Sequence, residues 1–291
     1  MTWLITGGSG QLGIALSQEL DKRGLLFIAW DSKDLDITQG PIVQSLIPTM
    51  SPEVIINCSA WTDVDGAESN ELLASRVNSD GAENIGLAAK KSQARFIHIS
   101  TDYVFSGGNN APLEIDALLD PQSAYGRTKA EGENRVLAAY SENSSIVRTA
   151  WLYSPWGKNF AKTMTRIAIM GDDKVRVVND QVGQPTSAID LAKQLADLGL
   201  SSLPVGIYHG TNAGKATWFE FAQEIFILAG ADVDRVIPVS SSDYPRPAKR
   251  PGYSVLSHDC WAKTAIPPMR DWQIALEEAM PAIISAVQAE E

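Results

Sequence analysis

Thr2-Trp3-Leu4-Ile5-Thr6-Gly7-Gly8-Ser9-Gly10-Gln11-Leu12-Gly13 runs from a short apolar segment into a glycine-rich turn. Residues 2–6 have the length and composition of a buried strand. Leu12, Leu16 and Leu20 then recur at helical spacing, and Gly24 stands where a helix would stop. A second apolar run, 25–30, ends at Asp31. The order is β-α-β with the glycines in the first turn. One glycine permits the tight turn, another lets backbone N–H groups approach a pyrophosphate, and a third lets the helix pack on the strand. The helix then presents the positive end of its dipole to the phosphates. The glycines satisfy both G-x-G-x-x-G (8, 10, 13) and G-x-x-G-x-x-G (7, 10, 13). A merely flexible loop is the plain alternative; the strand before, the helix after and Asp31 all speak against it.

Asp31 suits the ribose 2′-OH of an adenosine and disfavours a 2′-phosphate. Ser32 and Lys33 suit such a phosphate, so these residues leave NAD and NADP open. Asp36 and Ile37 read equally as adenine-pocket wall or ordinary loop.

The alternation continues with strands at 53–57, 95–100 and 145–149 and an alanine-rich helix at 77–90. Ligands of an open parallel sheet bind beyond the carboxyl ends of its strands, which places the loop 58–65 beside the cofactor. Asp65 and Glu68 have the spacing of a capping pair for the next helix. Beyond about residue 155 the pattern loosens, with helices expected at 160–170, 189–198, 218–229 and 271–288 and strands at 175–178 and 206–209. The fold class is therefore α/β. Residues 1–153 form a Rossmann-type doubly wound parallel sheet. Residues 154–291 form a smaller C-terminal α/β substrate-binding domain, some of whose segments return to the Rossmann core. The loop 244–251 concentrates Arg246, Lys249 and Arg250; it reads as a connecting loop or, as its charge favours, a clamp for the phosphates of a second nucleotide.

The bulk numbers narrow the function. The chain has 291 residues, 44% of them hydrophobic, a formal net charge of -11 and a pI of about 4.8. That argues against nucleic acid or an anionic membrane as partner, while a small polyanion stays open because local amides and arginines can outweigh the global field. The two cysteines, Cys58 and Cys260, form no CxxC pair, which argues against a disulfide framework or zinc site and for a reducing, cytoplasmic setting. His98, His209 and His258 lack metal-binding spacing; His98, in mid-strand, reads as a packed core residue. No metal is expected. The start of the chain has no basic signal-peptide region, and no apolar run reaches membrane-spanning length.

The chemistry is carried by Ser100-Thr101-Asp102-Tyr103-Val104-Phe105 and, after a loop at 106–122, by Tyr125-Gly126-Arg127-Thr128-Lys129 on a helix capped by Ser123. Tyr125 and Lys129 share one helix face. A phenol titrates near ~10 unless its anion is stabilised, and an ammonium one turn away stabilises it. Thr101, at a strand's carboxyl end, offers a hydroxyl to a carbonyl oxygen. Y-x-x-x-K alone is a weak pattern, matched by many exposed helix surfaces. Here the glycine turn adds a place for a hydride donor, and carbonyl reduction needs both.

TGGSGQLG at 6–13, INCSAWTDVDGAE at 56–68, STDYVFSG at 100–107, YGRTK at 125–129, RTAWLY at 148–153, NFAKTM at 159–164, NDQVGQPT at 179–186 and RPGYSVL at 250–256 together resemble the extended short-chain dehydrogenase/reductase superfamily. More closely, they resemble its dTDP-4-dehydrorhamnose reductase family, over nearly the whole chain. The resemblance implies reduction of the C4 ketone of dTDP-4-dehydro-L-rhamnose (dTDP-6-deoxy-L-lyxo-4-hexulose) to dTDP-L-rhamnose with NADPH, or NADH in its place. It implies Thr101, Tyr125 and Lys129 as the catalytic set, Lys129 lowering the tyrosine pKa and bonding the nicotinamide ribose. It assigns Gly7, Gly10, Gln11, Leu12 and Gly13 to the pyrophosphate and Asp31, Asp36 and Ile37 to the adenosine half. Ala60, Trp61 and Thr62 would line the cofactor side, and Thr101, Asp102, Trp151 and Arg250 would meet the sugar nucleotide. Related 4,6-dehydratases need an Asp-Glu pair after the threonine, where this chain has Asp102-Tyr103. The epimerase-reductases that make GDP-fucose need a catalytic cysteine and histidine, and here Thr101 is followed by Asp102. Some relatives dimerise through a metal held by an acidic residue on the first helix; Ile14 and Ala15 stand there, which implies a monomer or weak homodimer. Two alternatives are a reductase of another nucleotide 4-keto-deoxysugar and a non-catalytic NADP-binding subunit of methionine adenosyltransferase. The presence of Thr101, Tyr125 and Lys129 favours an enzyme.

Overall fold

The computed structural model describes residues 2–108, 110–262 and 264–290. Its first part alternates strand and helix: β1 (Thr2–Thr6), α1 (Gln11–Lys22), β2 (Leu26–Trp30), α2 (Gly40–Thr49), β3 (Val54–Asn57), α3 (Val64–Ser69), α4 (Glu71–Ser75), α5 (Ala82–Ser92), β4 (Arg95–Thr101), α6 (Ala124–Tyr140) and β5 (Ser144–Thr149). Then come β6 (Leu152–Tyr153), α7 (Phe160–Met170), β7 (Val175–Val178), β8 (Val182–Gly183), β9 (Thr186–Ser187), α8 (Ala188–Leu200) and β10 (Ile207–His209). The chain closes with β11 (Asn212–Ala213), β12 (Ala216–Thr217), α9 (Trp218–Leu228), β13 (Val236–Val239), β14 (Met269–Asp271) and α10 (Trp272–Gln288).

Six strands form one parallel sheet in the order β2-β1-β3-β4-β5-β10. Side chains alternate across it. Trp3, Ile5, Val54, Ile56, Ile97 and Val147 pack with α1 and α8 on one face, while Leu4, Ile55, Phe96 and Ile146 pack with α2, α5 and α6 on the other. A sheet buried on both faces explains the consecutive apolar residues Trp3, Leu4 and Ile5 of β1 and Val54, Ile55 and Ile56 of β3. The edge strand β10 and the covering helix α8 both come from beyond residue 180; Arg23 of α1 fastens α8 by bonds to Asp197 at 2.6 Å and to Lys193 O at 3.3 Å. A second apolar cluster joins α7, α9 and α10 through Met164, Phe221, Ile225, Leu276 and Ile283, beside the parallel pair β7–β13. Among the described residues no helix is long and apolar enough to cross a membrane.

Two local expectations are revised. Asp63, not Asp65, caps α3, accepting from Gly66 N at 2.9 Å. Glu68 caps a different helix, accepting from Ala124 N at the start of α6 at 2.8 Å. The helix expected at 77–90 begins earlier, at Glu71, and passes through a π-helical turn at Arg76–Gly81 before α5. That turn aims Asn78 at α6, where its amide donates to Thr128 Oγ1 at 3.0 Å, and Ser79 donates to Thr128 O at 2.9 Å.

Beneath the strand ends lies a buried ion pair. The Arg148 guanidinium of β5 donates to Glu133 of α6 at 2.8 Å and 3.0 Å, and Ser100 Oγ of β4 donates to the same carboxylate at 2.5 Å. Arg148 also donates to Ile115 O and lies over the Phe105 ring. Removing one partner of a buried pair strands the other charge, typically costing about 3–5 kcal/mol. Glu133→Ala should lower unfolding free energy by that order in urea titration, and Glu133→Leu with Arg148→Met should lose much less.

Candidate active site

β1 is flanked by β2 on one side and β3 on the other, so connections leave it in opposite directions. A crevice opens at such a switch point. A cavity of about 790 Å³ lies there, at the carboxyl ends of β1, β3, β4 and β5. Gly7, Gly10, Gln11, Leu12 and Gly13 form one wall. A Cβ on Gly13 would sit 2.2 Å from Gly7 O, so the close approach of turn and helix requires a glycine there. No side chain caps α1, leaving its first-turn amides available to an anion. Gln11 accepts from Ser154 Oγ and Asn159 Nδ2, each at 2.9 Å, and thereby ties the loop carrying Gly157 and Lys158 to this wall.

Of the expected adenosine contacts, Asp36 and Ile37 line the cavity and Asp31 does not. The Asp31 carboxylate is turned back into its own loop, accepting from Lys33 N at 2.7 Å; Ser32 takes the place in the wall. Asp36 accepts from Thr38 N and Oγ1, which hold its pKa below the usual carboxylate range. Ala60 and Thr62 line the cavity, whereas Trp61 lies outside it. Its indole N–H donates to Asp63 O at 3.0 Å, and its ring packs against Ala67, Ala74 and Ala124.

Thr101, Tyr125 and Lys129 come together on the opposite wall. Ser123 fixes the start of α6 by accepting from Gly126 N, which sets the Tyr125–Lys129 face against the end of β4. Burial pushes the Tyr125 phenol up to about 12, against a hydrogen bond with Thr101. The expectation that Lys129 depresses this pKa is therefore not met; Lys129 is directed to β4, donating to Ile99 O at 2.6 Å, and burial brings its own pKa down to about 8. Asp102, fully buried, accepts from Thr101 Oγ1 at 3.0 Å, and burial raises its carboxyl to about 6.

Trp151 lines the cavity with a left-handed backbone, φ 46°. Its indole stacks on Trp218 with ring centroids 3.6 Å apart and 10° between planes. Behind it, a Cβ on Gly183 would sit 2.5 Å from the indole. Trp218 and the 157–159 segment are wall residues that the sequence reading did not assign; the aromatic first residue of α9 gave no signal beyond an amphipathic helix. Arg250 lies outside the wall. It and Arg246 bind Asp65, at 3.0 and 2.6 Å, and the Arg250 guanidinium is the main reason the Asp65 pKa falls to about 2.

A glycine turn before an uncapped helix, with threonine, tyrosine and lysine converging at the strand ends, defines a nucleotide-cofactor reductase of the extended short-chain dehydrogenase/reductase class. A family model described as "RmlD substrate binding domain" matches residues 1–284. The chain belongs to that family, the dTDP-4-dehydrorhamnose reductases. It is 45% identical to the dTDP-4-dehydrorhamnose reductase of Streptomyces griseus over 97% of this chain and 93% of that one. It is 41% identical to a dTDP-4-keto-6-deoxy-D-glucose reductase of Streptomyces niveus, covering 96% of each. The crystal structure of the Bacillus anthracis dTDP-4-dehydrorhamnose reductase in complex with NADP superposes with a TM-score of 0.92 at 38% identity, over 96% of this chain and 98% of that one.

Gly183→Ala should push the Trp151 indole off Trp218. The expected result is loss of the exciton circular-dichroism signal of the stacked pair and destabilisation of about 1–3 kcal/mol; an unchanged spectrum would show that the ring does not rest on Gly183.

Proposed function

We propose that the protein reduces the C4 ketone of dTDP-4-dehydro-L-rhamnose to dTDP-L-rhamnose with NADPH. The observation that carries this reading is that Thr101, Tyr125 and Lys129 share one cavity with the uncapped glycine-turn end of α1. Family membership supports the substrate.

The residues present fit a dinucleotide. The backbone at 7–13 would hold the pyrophosphate, Asp36 and Ile37 the adenosine half, and Ala60, Thr62 and Lys129 the nicotinamide side. The Asp31 carboxylate, bonded within its own loop, does not oppose a 2′-phosphate beside Ser32, which supports NADPH over NADH. Bound NADPH supplies the hydride that adds to the carbonyl carbon.

Tyr125 gives its phenolic proton to the ketone oxygen, completing the alcohol. A phenol raised to about 12 is fully protonated at neutral pH, as a proton donor must be. The Thr101 hydroxyl, bonded to Asp102, orients that oxygen. Asp102 and Trp151 meet the sugar. Arg250, bonded to Asp65 outside the wall, would reach the nucleotide by exchanging partners. Tyr103 stands where a dehydratase needs its second carboxylate, so elimination of water lacks its acid–base pair. The non-catalytic alternative leaves the grouping of Thr101, Tyr125 and Lys129 without a use. The setting is the cytoplasm, in keeping with Cys58 and Cys260 as free thiols.

The test is NADPH oxidation in the presence of dTDP-4-dehydro-L-rhamnose, with product identified by NMR; faster turnover of dTDP-4-keto-6-deoxy-D-glucose would reassign the sugar. Tyr125→Phe should lower kcat by about 10²–10⁴ and leave NADPH affinity near that of the parent, and full activity would remove Tyr125 from the mechanism. Asp102 ionises as pH rises through about 6, gaining an acceptor for sugar hydroxyls. KM for the sugar nucleotide should therefore fall through that range, and Asp102→Asn should flatten the dependence.

A further inference from the structure

Behind Lys129 runs a buried chain of polar side chains that the reaction scheme leaves unused. Thr6 Oγ1 donates to Asn57 Oδ1 at 2.7 Å, Asn57 Nδ2 lies 3.1 Å from His98 Nδ1, and His98 Nε2 lies 3.3 Å from Lys129 Nζ. Thr6, Asn57, His98 and Lys129 are all buried. The protons in such a chain follow from its partners. The Ser59 backbone N–H, which can only donate, reaches Asn57 Oδ1 at 3.0 Å. That fixes the amide: its oxygen faces Ser59 and Thr6, and its NH₂ faces His98. His98 Nδ1 must then accept. A buried, neutral imidazole has one proton, which is left on Nε2, pointing at Lys129.

An N–H aimed at an ammonium sets two donors against each other. An N–H aimed at an amine meets a lone pair. We infer that Asn57 and His98 act as a tautomer lock that turns an N–H on Lys129 and so favours its amine over its ammonium form, making His98 a positioning residue for the catalytic lysine. The kinetic meaning of this inference rests on the reductase reading above; the protonation state itself does not.

The surroundings of Lys129 agree. Burial lowers its pKa to about 8 and that of His98 well below its ordinary value. The Cys58 thiol, just past the end of β3, is pushed up by burial and stays neutral, as does the Tyr125 phenol. Glu133, one turn along α6, is the carboxylate that favours the charged lysine, and Arg148 and Ser100 already hold it. Lys129 thus stands near the balance between amine and ammonium, with one remaining donor direction set by Ile99 O. When Tyr125 gives up its proton, the new phenolate favours the ammonium and draws Lys129 towards full protonation at that step.

The test is a pH titration of Lys129 by NMR of protein carrying isotope-labelled lysine, the signal assigned by its absence in Lys129→Arg. The free protein should show a midpoint near 8. His98→Phe removes the donor and should raise the midpoint by about one unit. His98→Gln, whose amide N–H can replace Nε2–H, should keep it within a few tenths of the parent. The limb of the kcat–pH profile that reports Lys129 should move in the same order. A lysine that stays cationic through pH 10 in the parent overturns the inference, as does an unmoved midpoint in His98→Phe or an equal shift in His98→Gln. If His98→Phe does not fold, the parent titration decides. Because the titration needs no substrate, its failure is separable from a failure of the reductase assay.

Discussion

The seat of helix α6 depends on one carboxylate. Glu133 accepts from Arg148 on β5 and Ser100 on β4, and the same guanidinium reaches Ile115 O in the long loop. A charge this deep is tolerated only when its partners are fixed, so the pair orients what it joins. With Glu133 held there, the turn of α6 one step earlier brings Lys129 onto the end of β4, and the turn before that brings Tyr125 beside Thr101. Ser123 and Glu68 fix the other end of the helix by binding Gly126 N and Ala124 N. The Tyr125–Lys129 face is thus set from both sides, and of the groups that set it only Ser100 also lines the cavity.

The segments after β5 meet the site as loops tied to one another. Val182 N donates to Gly252 O, Ser254 N to Val182 O, and Tyr253 N to Gly107 O. Gln184 Oε1 accepts from both Leu256 N and Thr211 Oγ1. The stretches 100–107, 179–186 and 250–256, scattered in sequence, therefore form one patch of backbone pairing behind the Trp151 side of the cavity. Trp151 depends on it, since Gly183 leaves room for its indole. The left-handed backbone of Trp151 costs of order 1–3 kcal/mol, and the stack on Trp218 offsets part of that.

The alternating β-α half was legible because each of its signals is local. The glycine turn, the 12-16-20 leucine stripe, the strand-end threonine and the Tyr125–Lys129 spacing report on neighbours within a turn or two. The revised residues lost their expected contacts in two ways: a partner distant in sequence captured Asp65, and a backbone group of the same loop captured Asp31 and Trp61. Asp65 carries a capping pattern, yet its carboxylate is taken by Arg246 and Arg250, 181 and 185 residues away. Asp31 and Trp61 occupy the expected loops, but each turns its side chain into a local bond. Trp218 was invisible because an aromatic at the start of an amphipathic helix signals packing, and only the fold brings it against Trp151. His98 reads correctly as a buried core residue from its mid-strand position; its neighbours Asn57 and Lys129 come from two other elements, and no spacing rule joins them.

The placement of β10 and α8 bears on how the chain is made. A growing polypeptide that has emerged only as far as β5 has every group of the glycine turn and of helix α6. It still lacks the strand that pairs the outer edge of β5 and the helix that covers Trp3, Leu16 and Val147. That intermediate exposes an unpaired parallel edge and an apolar sheet face together, the two features that most invite association between unfinished chains. Closure waits until residues 188–209 have left the ribosome, so the sheet is completed late in translation, and the N-terminal half is poorly suited to life as a separate fragment.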